Sequence, residues 1–176
     1  MSSTKRHSMK PVSVALLLLL LSARGVAVAG EPGPTRHGFL AFLQTWEQAQ
    51  DRFINGDPTA WLRSVSHSGD ATIYGAFGGY ERGADVDRRY EWAASQYEHS
   101  GAAKKVEYLS LVVSGDLAVT VSIERDRARV KGRKKPIDQT LRVTQVFRWE
   151  ARSWKLLHRH ADPMLEKKAP SQEGPQ

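Results

Sequence analysis

An α+β fold, with helices on one face of a curved antiparallel sheet, is what this sequence predicts, and three observations carry the prediction. Helical periodicity comes early: Phe39, Phe42, Leu43, Trp46, Ala49 and Phe53 fall on one stripe, with Gln44, Glu47, Gln48 and Asp51 opposite. Four β-patterned segments then follow one another, at 104–114, 117–130, 140–150 and 153–162, with no helix between them. Their connections suit antiparallel neighbours: Gly115-Asp116 makes a tight hairpin, Ala151-Arg152-Ser153 another, and the run 131–139 a longer loop. Helices first and a strand meander afterwards define the class.

The remaining elements fit between these. Residues 30–38 are a Pro/Gly-rich lead, expected to be loose, and the domain proper is expected over 39–163. Asn55-Gly56 ends the first helix, Asp57 caps the next turn, and Pro58 opens a short helix over 58–64 with Trp61 and Leu62 inward. Residues 70–77 read as a strand and 78–83 as a glycine-rich turn. A second long helix follows, with Val86, Tyr90, Ala93, Ala94 and Tyr97 on one stripe and Asp85 and Asp87 favourably placed in its first turn. The tail, 164–176, has the composition of a disordered segment.

Residues 1–29 read as a secretory signal. Lys5, Arg6 and Lys10 precede a short apolar run, and Ala27-Val28-Ala29 offers a cleavage site. The run from Val12 to Leu21 is well short of the ~20 residues that span a bilayer, so export without a stable membrane anchor is expected, to the periplasm or beyond. Four of the 26 basic residues lie before the cleavage site and none of the 19 acidic ones does, so the mature chain carries 22 against 19. That mild excess is too small to indicate a nucleic-acid partner. The densest basic run, Arg127 to Pro136, lacks interleaved aromatics and reads as a solvated loop. The absence of cysteine excludes disulfides, thiol catalysis and thiolate metal sites.

The stretches "GDPTAW", "ATIYGAFGGYERG", "LRVTQVFRWE" and "WKLLHRHADP" resemble the SnoaL-like, ketosteroid-isomerase-like branch of the NTF2-like superfamily over residues 39–163. The resemblance implies a cone whose sheet wraps the first helix around a pocket, often in a dimer. It implies no single activity, since members include isomerases, hydratases and non-catalytic hubs. They are generally metal-free, and no cofactor is expected here. His158, His160 and either Asp162 or Glu124 have the donor types of a zinc site, but no further His-rich motif supports one.

Simple alternation along the last strand puts Trp154, Leu156, His158, His160 and Asp162 on one face. If that face lines the pocket, His160 or Asp162 is the candidate base and Tyr74 the hydroxyl donor to a developing enolate. Arg142, which the resemblance favours as inward, would hold an anion, with Thr144 beside it and His158, Phe77 and Trp92 completing the substrate wall. Structural roles for the histidines, a solvent-facing ladder for Arg142 and Thr144, and a core role for the aromatics are the plainer alternatives. Glu124 is read as an exposed ion-pair partner. Two functions stay open: an exported, cofactor-free proton-transfer enzyme acting on a small apolar carbonyl compound, or a non-catalytic small-ligand-binding or oligomerisation module. An apolar sheet face carrying Phe147 and Trp149 would suit a homodimer.

Overall fold

The computed structural model describes residues 33–166. The expected signal and all but the first three residues of the expected tail lie outside them. Among the described residues, no helix is long and apolar enough to cross a membrane.

The first helix, α1 (Arg36–Phe53), begins three residues earlier than the apolar stripe, because the Thr35 side chain caps it by accepting from the Gly38 N–H at 3.0 Å. Phe39, Leu43, Trp46, Ala49, Gln50 and Phe53 form its buried face. The short α2 (Thr59–Arg63) turns Trp61 inward, and Trp61 packs against Trp46 and Phe53 with ring centroids 4.2 and 4.6 Å apart. The glycine-rich stretch after the first strand holds more than a turn: β1 (Thr72–Tyr74) and β2 (Tyr80–Arg82) form a small hairpin around it. Helix α3 (Asp85–Ser95) and a two-residue strand β3 (Tyr97–Glu98) follow. The four long strands are β4 (Lys105–Ser114), β5 (Leu117–Val130), β6 (Ile137–Glu150) and β7 (Ser153–Pro163). Strand β6 therefore starts three residues before the expected position, shortening the basic loop.

The sheet order is β2-β1-β7-β6-β5-β3, with β4 also on β5. The meander β4 to β7 is antiparallel as expected, but β1 runs parallel to β7, pairing Thr72 with His158 and Tyr74 with His160. The sheet is therefore mixed rather than purely antiparallel. Its β1–β2 hairpin is delivered to the far edge of β7 by the two helices, not by a tight turn.

Two irregularities curl this sheet. In β4 the register skips Leu109, and in β7 it skips Leu157, since Val146 pairs with His158 and Phe147 with Leu156. The second has the larger consequence. Trp154 and Leu156 are buried before the bulge; beyond it, Arg159 and Ala161 are buried, and His158, His160 and Asp162 turn outward. One extra residue inverts the face of everything that follows. Strand β6 keeps plain alternation, with Leu141, Val143, Gln145 and Phe147 inside. Phe147 is fully buried against Phe39, Phe42 and Trp46, so it belongs to the core rather than to an exposed face, and Trp149 packs at the edge of the same cluster.

Deleting Leu157 should remove the bulge and drive His158 and His160 inward in place of Arg159. The expected result is loss of cooperative thermal unfolding by circular dichroism; a wild-type-like melt would show that the bulge does not set the face.

Candidate functional site

The residues singled out from the sequence do come together, on the outside of the sheet. Arg142 pairs across the ladder with Asp162, Thr144 with His160, and Tyr74 with His160 from the other side. His160 Nε2 lies 3.1 Å from Asp162 Oδ2, and Arg142 Nη2 lies 3.7 Å from the same oxygen. The His158 Nδ1 is 2.7 Å from Thr72 Oγ1, and the Tyr74 ring packs 5.8 and 5.2 Å from the two imidazoles. Burial and the neighbouring His160 push the His158 imidazole below its ordinary range. Arg142, Thr144, His160 and Asp162 border a shallow groove shared with Leu109 and Val121. The Arg142 side chain is 59 % exposed, so the expected inward aim of Arg142, Thr144, His158, His160, Asp162 and Tyr74 is corrected: all six stand on the solvent side. Two causes account for this. The Leu157 bulge turns the β7 residues outward, while the apolar alternation of β6 overrides the inward position taken for Arg142 from the resemblance. A metal site is not assembled either, because Glu124 lies on the opposite face of the sheet from the histidines. Among the described residues no group of three His, Cys, Asp or Glu side chains is arranged to hold a metal.

The enclosed site is built from other residues. Ala118, Thr120, Ser122, Glu124, Asp126 and Ala128 are the buried face of β5. Glu124, expected at the surface, is 0 % exposed and receives Arg159 in fork geometry, Nη1 to Oε1 and Nη2 to Oε2, both at 2.8 Å. Lys104, just before β4, donates to Glu124 Oε2 at 2.9 Å and lies 3.4 Å from Asp126 Oδ2. Burial pushes the Glu124 carboxyl up, but Arg159 and Lys104 outweigh it and hold the group down at about 2. The two cations are likewise raised: burial opposes their charge, and Glu124 overcomes it. Asp126 differs. Its nearest partner is Lys104, too long at 3.4 Å for a well-formed hydrogen bond, and burial raises its carboxyl despite Lys104.

Beside this cluster is a cavity of about 60 Å³. Phe53, Trp61, Ile73, Ala93 and Ala161 give apolar walls, and Tyr90 adds a hydroxyl that burial keeps protonated. The ionic residues on the lining are Arg89, Lys104 and Arg159, all cations. The Arg159 guanidinium also lies 5.5 Å from the Trp61 ring centre, and two of its five N–H groups are engaged on Glu124.

The β1–β2 turn closes the cavity. Arg89 reaches from α3 to donate to the Gly78 carbonyl, lies 3.5 Å from Glu81, and stacks 4.6 Å over Trp92. A Cβ at Gly75 would sit 2.7 Å from Arg89 Nη2 and displace the guanidinium, and Gly78 and Gly79 have positive φ, which glycine adopts freely. Phe77, carried on this turn, lines the cavity and meets Trp92 and Tyr97 at centroid distances of 6.1 and 6.3 Å. Phe77 thus forms part of the cavity wall, and Trp92 backs it.

Sequence reasoning missed Arg159, Lys104 and Asp126. The doublet Leu156-Leu157, which breaks the alternation, was the available sign for Arg159. For Asp126 it was the parity it shares with Ala118, Thr120 and Ala128. Lys104 lies outside any strand and leaves no such mark.

A long helix followed by a curled mixed sheet, forming a half-barrel around a pocket, matches known architecture. The nuclear-transport-factor-2-like superfamily protein from Salmonella enterica serovar Typhimurium aligns with TM-score 0.62 at 19% identity, over 78% of this chain and 95% of that one. This is the NTF2-like fold. A candidate dehydratase of the NTF2-like family from Streptomyces avermitilis aligns with TM-score 0.58 at 20% identity, over 74% of this chain and 96% of that one. A candidate ketosteroid isomerase from Shewanella frigidimarina aligns with TM-score 0.52 at 20% identity, over 68% of this chain and 92% of that one. No protein-family model matches the sequence, and no curated protein is detectably similar to it. At these identities the NTF2-like likeness establishes architecture and leaves activity to the site itself.

Glu124→Gln should cost about 3–5 kcal/mol in urea unfolding, because it strands Arg159 and Lys104 without their shared counter-charge. A loss under ~1 kcal/mol would show that the cations are not held by Glu124. Asp126→Asn should act in the opposite sense. A carboxyl raised in the fold contributes stability below its unfolded pKa and loses it as pH rises through the folded value. The variant should therefore gain on wild type in Tm between pH 4 and pH 8, and a Tm difference that does not change with pH would refute a strained, buried Asp126.

Proposed function

We propose that this NTF2-like chain is a small-ligand-binding module that holds a carboxylate on Lys104, Arg159 and Arg89, within the SnoaL-like branch its sequence resembles. The observation that carries the proposal is the charge of the cavity lining, three cations with no acid among them. The cavity would accept a negative group at the cost of little reorganisation, because Glu124 has already fixed two of the cations in place. The isomerase-type alternative needs a base facing the ligand. The Glu124 carboxyl, held at about 2, is too weak a base at neutral pH, and Asp126 lies behind Lys104 rather than on the lining. The histidines stand on the far side of the sheet. Binding therefore accounts for the geometry better than proton transfer does.

Two further expectations belong to this proposal. One is export behind the signal at 1–29, which would present the site to ligands outside the cytoplasm. The other is self-association through the outer sheet face, where Leu109, Val112 and Leu117 are exposed.

Propanoate, titrated by calorimetry, should bind saturably at one site per chain, and propylamine should not. Lys104→Met leaves the Arg159–Glu124 fork intact and should weaken propanoate about 10- to 100-fold, the range of a hydrogen bond to a charged group. Absence of propanoate binding, or an unchanged affinity in Lys104→Met, would refute the carboxylate site.

A further inference from the structure

The cationic cavity is too small to be a whole ligand site. At about 60 Å³ it has less than half the volume of the ~150 Å³ apolar cavity that admits benzene, and sites for larger ligands run to roughly 300–1,000 Å³. A second hollow adjoins it. A cleft of about 470 Å³ is lined by Ile137, Leu141, Pro163 and Met164, by the polar Asp138, Gln139 and Thr140, and by Ala76 and Phe77, which also line the cationic cavity. Ala76 and Phe77 are thus shared between a small compartment whose ionic groups are cations and a larger cleft with an apolar stretch of Ile137, Leu141, Pro163 and Met164.

These two shared residues are borne on a turn. Residues 75–79 contain three glycines, and Arg89 secures the turn through the Gly78 carbonyl. Phe77 is 45 % exposed and lies between the two hollows without being locked into the core. On the sheet side the two hollows are bridged by one apolar cluster: Ala161 lines the cavity, packs with Leu141 and Val143 beside Ala76, and Leu141 lines the cleft.

Resting on the carboxylate site proposed above, we infer that the ligand is an amphipathic monocarboxylate: its head sits on Lys104 and Arg159, and an unbranched apolar tail passes Phe77 into the cleft. Charge complementarity selects the head, and the apolar floor of Ile137, Leu141, Pro163 and Met164 selects the tail. Asp138 is the one ionic residue on the cleft lining, and it lies 3.9 Å from Arg127, so its charge is partly answered. Phe77 sets the width of the passage and so the preference for an unbranched chain.

The test is a calorimetric series from propanoate to octanoate with octan-1-ol as the neutral control, on the wild-type chain and on Ile137→Asp and Met164→Asp. Met164 is half exposed, so its substitution leaves the fold intact even where Ile137→Asp does not. In the wild type each added methylene should tighten binding about fourfold, the equivalent of ~0.8 kcal/mol per buried CH₂, over at least three methylenes. The ratio of octanoate to propanoate affinity should collapse toward one in the cleft variants. An affinity independent of chain length, or a chain-length gain that survives in Met164→Asp, overturns the tail assignment while the Lys104-dependent binding of propanoate stands. Octan-1-ol binding as tightly as octanoate overturns the carboxylate head, and with it the amphipathic ligand.

Discussion

Arg159 and Glu124 can share a dry interior only because each satisfies the other almost completely. Taking a guanidinium and a carboxylate out of water costs several kcal/mol per ion, and the interior repays it only for near-ideal geometry. Here both guanidinium nitrogens meet both carboxylate oxygens at 2.8 Å, and Lys104 takes a further lone pair at 2.9 Å. The pair also dictates shape. Glu124 lies opposite Leu141 and Arg159 opposite Gln145, so the ion pair runs diagonally over β6 from β5 to β7, inside the curl of the sheet. Because Lys104 precedes β4, the same carboxylate ties down the entry to a third strand. Cavity, cations and curvature therefore depend on one another.

That dependence explains which parts of the molecule were legible in its sequence. Element order, helix stripes and the four long strands follow from local periodicity, and periodicity survives packing. The parallel pairing of β1 with β7 does not, because Thr72, Ile73 and Tyr74 carry no mark of which strand edge they will meet. The candidate site was misplaced for a sharper reason. A period-two argument is only as good as the register, and the extra residue at Leu157 reverses the outcome for His158, Arg159, His160 and Asp162 together. Glu124 was misjudged because its neighbours Arg125 and Arg127 make the segment look solvated. In fact the alternating side chains of β5 divide cleanly, with Arg125 facing Glu107 outside and Glu124 facing Arg159 inside.

The aromatic residues have two distinct duties in this architecture. Phe39, Trp46, Phe147 and Trp154 form an edge-to-face cluster that fills the closed end between α1 and β6–β7. At the other end, Trp61, Tyr90 and Phe77 surround free volume. The difference comes from what stands opposite them. Phe147 faces a helix with bulky residues at each turn, whereas Arg159 and Ala161 present a cation and a methyl group and leave space above the sheet. The bulge thus places the small residue as well as the charged one: without it, Ala161 would be outside and an imidazole would occupy the cavity floor.

Asp126 gives the cluster its remaining degree of freedom. Fully ionised, the two cations and two carboxylates balance, and a ligand carboxylate would be a third anion in a neutral cluster. Burial raises the Asp126 carboxyl, however, and a protonated Asp126 leaves the cluster with one positive charge in excess. Lys104 is common to both situations, since its ammonium meets Asp126 on one side and the cavity on the other. A ligand carboxylate and an ionised Asp126 therefore draw on the same ammonium, and each disfavours the other by ordinary like-charge repulsion. Under the carboxylate-site proposal, an anion at Lys104 would favour the protonated form of Asp126, the direction in which burial already shifts that carboxyl.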